Sequence, residues 1–135
     1  MLRQDDLRAG CVIMEAWRQG KDLGIQPCMM IAGCIVNRQR LGWGQWFDVL
    51  AAIPKFSALL EQPNRDVFPD VWEPNFIKLL HAVPAFMDGS MPDPAFGGLY
   101  WADTKHITNP WFKEKILGSP LHTACANQNS FTVFR

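Results

Sequence analysis

Apolar residues recur at helical spacing near the start of the chain. Leu7, Cys11 and Met14 share one face if Asp5 or Asp6 caps a helix there, and the pattern carries that helix to about Gln19. Gly20 and Gly24 bracket a polar link. Pro27 suits the first turn of a second helix. Its continuation, Cys28 to Val36, is apolar or Gly throughout, so this helix has no polar face and must be surrounded by the rest of the domain. The pattern turns polar at Asn37-Arg38-Gln39-Arg40, and Gly42 can end the helix.

Beyond Gly42 the periods are shorter. Trp46–Ile53 reads as a short helix stopped at Pro54, and Ser57–Glu61 as a turn. Pro63 to Glu73 is punctuated by Pro and Asp and reads as a surface loop. Pro74 opens another helix, with Phe76, Ile77 and Leu80 apolar, which Pro84 should kink or end. Asp88 to Gly98 is rich in Gly, Pro and Asp and has no helical period. Leu99-Tyr100-Trp101 predicts a short strand, Pro110–Leu117 a helical stretch ending at Gly118, and Phe131–Phe134 a last strand. Neither an internal repeat nor a domain boundary is visible. Helices first and strands later predict a single α+β domain over residues 1–135, mainly helical, with the strands gathered to one side.

Composition narrows the partners. The chain is 48% apolar over 135 residues, enough for one core. Thirteen basic residues balance thirteen acidic ones, with no run of either sign. Phosphate binding needs clustered Lys and Arg, so nucleic acid is not the expected partner, and a long, weakly charged polymer fits better. Six Trp and nine Phe stand against one Tyr. Such rings either fill the core or stack on sugars in a cleft, and both readings stay open. Cys11, Cys28, Cys34 and Cys125 form no CxxC pair and lack His at metal-ligand spacing. Three of them lie in apolar runs and read as buried free thiols. Met1–Gly10 is polar and does not resemble a signal peptide, and Cys28–Val36 is too short to cross a membrane. The expectation is a chain made in the cytoplasm, without stable membrane insertion.

Glu15 is the first candidate for chemistry. One turn back on a helix it has Cys11 and Val12, both apolar. An apolar wall disfavours the charged form of a carboxyl, and a protonated acid is what glycosidic cleavage requires, because the leaving oxygen must receive a proton. Arg18 and Gln19, one turn on, supply polar contacts. The plainer alternative is a helix-surface Glu paired with Arg18. Asn37 and Arg38 read first as residues that satisfy the end of a buried helix or link lobes. A thiol hydrolase built on Cys125 and His122 is a remote alternative, and His81 and His106 lie far from both in sequence.

The order of several short motifs resembles the SleB-like cell-wall hydrolase family, which includes spore cortex-lytic enzymes and phage lysis proteins. Cys11 to Gly20, with its Glu15-Ala16 pair, leads into the apolar helix ending Ile35-Val36-Asn37-Arg38. Asp93-Pro94 followed by Gly97-Gly98-Leu99-Tyr100-Trp101 is similar to the family's Asp-Pro, Gly-Ala-Leu-Tyr-Phe segment. Pro54-Lys55-Phe56-Ser57, Asn109-Pro110-Trp111 and Asn129 to Phe134 are similar to its Pro-x-x-Phe-Ser turn, its Trp-containing loop and its final strand. The resemblance runs roughly from Leu7 to Arg135 and is weakest between Leu60 and Pro92. It implies a lysozyme-like helical lobe, a small antiparallel β-sheet and a cleft between them. It implies Glu15 as catalytic acid, with no metal or organic cofactor. Tyr100, Trp101, Trp111, Gln19 and Phe56 are the candidates for binding substrate; a half-buried strand aromatic for Tyr100 and core packing for Trp101 and Trp111 stay open beside that reading.

The implied reaction is that of a lytic transglycosylase acting on bacterial peptidoglycan. Glu15 protonates the oxygen between N-acetylmuramic acid and N-acetylglucosamine, then takes the proton of the muramic C6 hydroxyl as a 1,6-anhydro ring closes. The family often has a second acid where this chain has Gln19, and its Gly-Asn-His appears only loosely as Asn127-Gln128-Asn129-Ser130. Plain muramidase chemistry needs a second carboxylate. Asp22, Asp48 and Asp103 are candidates for it without a motif behind them. The other class is a non-catalytic phage virion component that keeps the fold, or a sugar-binding module. Delivery to the wall would come by holin-dependent release at lysis or by packaging in a virion.

Overall fold

The structure is a computed structural model that describes residues 4–19, 24–43 and 72–135, without the side chains of residues 17–19, 72 and 73. Helix α1 spans Gln4–Gln19, α2 Ile25–Arg40 and α3 Trp72–Asp88. Strand β1 is Tyr100–Asp103. A short helix, α4 (Pro110–Phe112), runs into a π turn at Lys113–Leu117, and the chain ends in β2 (Ala124–Gln128) and β3 (Phe131–Phe134). The strands form one antiparallel sheet in the order β1-β3-β2. The fold is thus α+β, as the order of periods predicts.

Helix α2 stands at the centre. Ile31, Ala32, Cys34 and Ile35 have no exposed surface, and the helix packs on α1, on α3 and on all three strands. This is what a helix without a polar face requires. Its polar end falls at Asn37 to Arg40, and the chain leaves through Leu41 and a left-handed Gly42 with φ 77°. Gly33 lets the helix approach the 93–97 loop closely. A methyl group there would meet Asp93 Oδ1 at 2.6 Å and the Ala95 backbone nitrogen at 3.2 Å.

Several expectations are corrected. Asp5 and Asp6 lie inside the first turn of α1, where negative charge suits the helix dipole, rather than at its cap. Helix α3 begins before Pro74, so Trp72 and Glu73 are helical and not part of a loop. It continues through Pro84 to Asp88. Ala82, Val83 and Phe86 are buried on either side of that proline, and this packing outweighs one lost backbone hydrogen bond. Strand β1 starts at Tyr100, one residue later than the pattern predicts, and reaches Asp103, two residues later. Strand β2 was not foreseen. It pairs with β3 across a two-residue turn in which Asn129 takes φ 53°, a conformation Asn accepts more readily than most residues. The helix expected at Trp46–Ile53, the Pro54–Glu61 turns and the Pro63–Val71 loop lie outside the described residues.

The four cysteines are free, three of them buried and Cys125 half-buried. Burial pushes the Cys28 thiol up to about 11 and, with Glu15 nearby, Cys11 up to about 12. No helix among the described residues is long and apolar enough to cross a membrane.

Two outcomes follow from this packing. In the native protein at pH 8, iodoacetamide should label Cys125 first and leave Cys11, Cys28 and Cys34 unmodified until the chain unfolds. Intact mass then rises by four labels, and a native disulfide would contradict the arrangement. Gly33→Ala should lower stability by roughly 1–3 kcal/mol, because the added methyl presses on the Asp93 loop. Urea unfolding measures this, and an unchanged midpoint would show that the approach is loose.

Candidate active site

Helix α1 places Glu15 within a buried run. Cys11 to Met14 and Ala16 are all buried, and Glu15 itself is 6% exposed. A carboxyl in such a setting needs a hydrogen-bond partner. One partner comes from the sheet: Trp101 Nε1 donates to Glu15 Oε1 at 3.3 Å. Pairing with Val133 on β3 registers Trp101, a residue 8% exposed that lines the cleft. Trp101 therefore positions the acid and presents little ring face to a ligand.

The C-terminal end of α2 builds the adjoining wall. Asn37 Nδ2 donates to Asp93 Oδ2 at 2.8 Å and to Gly98 O at 3.0 Å. Asp93 also accepts from the backbone nitrogens of Ala95 and Gly97, so the loop folds around its carboxylate. Arg38 Nε donates to Leu99 O at 2.6 Å, at the root of β1. The Arg38 guanidinium carbon lies 4.4 Å from the Trp101 ring centre, 5.5 Å from Tyr100 and 5.6 Å from Trp43. Burial lowers the Arg38 guanidinium's affinity for its proton.

Tyr100 anchors the aromatic rim. Its ring centre is 5.8 Å from Trp43, 6.5 Å from Trp111 and 5.0 Å from His122, which meets it edge-on. Asn109 caps α4 by accepting from the Trp111 and Phe112 nitrogens, and this sets Trp111 at the rim. Trp43 is 44% and Trp111 53% exposed, so both offer ring faces to solvent.

Glu15, Arg38, Trp43, Tyr100, Trp101, Trp111 and Phe112 enclose a cleft of about 440 Å³. Four sequence candidates, Glu15, Tyr100, Trp101 and Trp111, thus converge from positions up to 96 apart in numbering. Phe56 and the side chain of Gln19 lie outside the described residues, as do Asp22 and Asp48. Arg38, Trp43 and Phe112 were not expected in the cleft. Arg38 read as a helix-end residue, and it does bond a backbone carbonyl, but its terminal group lies in the cleft wall. The signal for the other two was adjacency: Trp43 follows the Gly42 turn, and Phe112 follows Trp111.

Asp103 plays a different part. It is 8% exposed, accepts from Lys105 N at 3.1 Å and is bonded by the Ser130 side chain. These bonds, the Ser130 one foremost, hold its carboxyl below the usual range. Among the described residues, Glu15 is the one carboxyl in the cleft wall. The Cys125–His122 pairing finds no support. Cys125 Sγ bonds Ala95 O at 3.2 Å, His122 Nδ1 meets Arg135 O at 2.8 Å, and burial raises the thiol, opposite to what a nucleophile needs. Among the described residues, no group of His, Cys, Asp and Glu is arranged to hold a metal.

Trp101→Phe should reduce stability by about 1–3 kcal/mol, since a buried carboxyl loses a donor while most of the ring's apolar surface stays. Chemical denaturation reads the loss. A variant as stable as the parent would mean the indole N–H contributes nothing there.

Comparisons with protein-family models, with curated proteins and with solved structures find no match to this chain.

Proposed function

We propose that the chain cleaves the glycan strands of bacterial peptidoglycan between N-acetylmuramic acid and N-acetylglucosamine, with Glu15 as its proton-transferring acid. The observation that carries the proposal is a buried carboxyl, oriented by an indole N–H, in an aromatic-walled cleft. The resemblance of the Glu15-Ala16, Asn37-Arg38 and Gly97-to-Trp101 segments to SleB-like cell-wall hydrolases supports the same reading. So does a helical lobe set beside a small antiparallel sheet, the arrangement of a lysozyme-like enzyme.

In this mechanism the exposed faces of Trp43 and Trp111 stack on sugar rings and align the strand. Trp101 holds the Glu15 carboxyl in place. Glu15 gives its proton to the glycosidic oxygen as the bond to the muramic C1 breaks. The resulting carboxylate accepts the C6 hydroxyl proton while that oxygen bonds to C1, which closes the 1,6-anhydro ring without water. A one-acid route fits a cleft wall in which, among the described residues, Glu15 is the only carboxyl. Asp103, engaged by Ser130 and Lys105, is poorly suited as a second. A phage-encoded protein, released through a holin pore or packaged in the virion, would bring such an activity to the wall. The exposed Trp43 and Trp111 rings also suit a second reading, a virion component that grips glycan without cutting it.

Digestion of purified peptidoglycan followed by mass analysis decides among these. Anhydro ends are the expected products. Reducing muramic ends would make the protein a muramidase, free amino groups without new sugar ends would sink the glycosidase reading, and binding without cleavage would favour the second reading. Glu15→Gln should keep the fold and lose roughly two to four orders of magnitude in rate, because the amide can neither give nor retrieve the proton. Its melting temperature should hold or rise. Normal clearing of cell walls by this variant would remove Glu15 from the mechanism.

A further inference from the structure

We propose that Arg38 reads a carboxylate on the bound glycan, so that the cleft favours strands whose muramic acid carries a free lactyl carboxylate. The inference rests on the glycan-cleaving reading of the cleft and adds to it the feature of the substrate that is recognised.

Arg38 is held as a ligand-binding group rather than as half of an ion pair. Its Nε is committed to Leu99 O, and three aromatic rings surround the guanidinium. Among the described residues, only its Nε has a hydrogen-bond acceptor, so neither terminal nitrogen is paired to one of them. Those two nitrogens form the flat fork that matches a carboxylate with paired hydrogen bonds. The cleft wall otherwise consists of neutral aromatics and Glu15, so Arg38 is its one cation among the described residues. A partly buried cation of this kind gains from an anion that arrives with the ligand, because an opposite charge offsets the cost of taking the guanidinium out of water. Burial already weakens its hold on the proton, and an incoming anion offsets that penalty.

Peptidoglycan offers carboxylates from two sources. One is the lactyl ether of muramic acid, free only where the peptide has been removed. The other is the set of carboxyl groups along the stem peptides. Position favours the first. The Trp101 indole donates to Glu15 and its ring lies 4.4 Å from the Arg38 guanidinium carbon, so cation and acid flank one side chain. A carboxylate read by Arg38 therefore sits close to the bond being cut, where the lactyl group of the cleaved sugar is and where distant stem-peptide groups are not.

The test is a binding titration followed by tryptophan fluorescence, with the native chain and with Glu15→Gln to keep the strand intact. Four ligands are compared: the neutral N-acetylglucosamine tetramer, a peptide-free tetrasaccharide alternating N-acetylglucosamine and N-acetylmuramic acid, its methyl ester, and the same tetrasaccharide carrying stem peptides. The free acid should bind roughly 10- to 100-fold more tightly than the ester or the neutral tetramer. The preference should vanish in Arg38→Gln and shrink in Arg38→Lys, which keeps the charge and loses the fork. Equal binding of acid and ester overturns the proposal without needing any variant. So does a folded Arg38→Gln that keeps the preference. If the peptide-bearing strand binds as tightly as the free acid, the lactyl assignment falls. If the neutral tetramer binds as well as the acid, the glycan reading stands and the role of Arg38 fails. If no glycan binds, both fail together.

Discussion

Asn37 and Arg38 tie the end of the central helix to the segment that leads into the sheet. Asn37 donates to Asp93 and Gly98, and Arg38 donates to Leu99 O. The next residue begins β1. These bonds fix where the strand starts relative to α2, and α2 fixes the position of α1 through shared apolar packing. Trp101 can therefore meet Glu15 although 86 positions separate them. Asp93 is the hub of the tie, because its carboxylate collects donors from its own loop as well as from the helix. Gly33 completes it by leaving room for that carboxylate against the helix. If the tie were displaced, the acid, the indole and the guanidinium would lose their common geometry together.

The two buried carboxyls differ in setting. Asp103 is bonded by Ser130 and Lys105 N, near a turn that Thr104 and Ser130 also hold. Such donors favour the ionised form, and a group kept ionised is a poor proton donor. Glu15 lies on a helix, among side chains that are nearly all apolar, with an indole N–H on one oxygen. Glu15 borders the cleft of about 440 Å³. The same contrast separates the ends of α2. Its apolar stretch does structural work alone, whereas its polar end both ties the fold and forms the cleft wall.

Much of this was legible in the chain because its periods are strong. An unbroken apolar run can only be a surrounded helix, and α2 is one. Gly118 closes the α4 segment where the pattern ends, and Phe131–Phe134 is the last strand. Strand β2 was illegible because Ala124 to Gln128 contains no β-branched or aromatic residue and stays largely exposed. Its pairing with β3, not its own preference, makes it a strand. Pro84 misled for the converse reason, since burial on both sides kept the helix going where local propensity would stop it. Glu15, Tyr100, Trp101 and Trp111 were found as motif members, and the fold brings them together. Arg38 was misjudged because sequence shows that a helix-end arginine has carbonyls to satisfy. It does not show that one nitrogen suffices for this and leaves the other two to the cleft.

The cleft joins a rigid floor to a solvent-facing rim. Glu15 is set on the 16-residue helix α1, one turn from its end, and Trp101 sits on a strand paired along its length with β3, so neither is placed on a loop. Trp43 lies just beyond the end of α2 and Trp111 in the three-residue helix α4, and both show their rings to solvent. The proposed polymer substrate would place different demands on the two parts. A bond cut there would need a fixed donor, since small misplacement of a catalytic group is costly. The sugars on either side need broad faces that tolerate variation along the strand, which stacking supplies better than directed hydrogen bonds. Tyr100 and Arg38 stand between floor and rim. Tyr100 touches Trp43, Trp111 and His122, while Arg38 lies against both Tyr100 and Trp101. A ligand seated on the rim thus bears directly on the group that contacts the ring holding the acid.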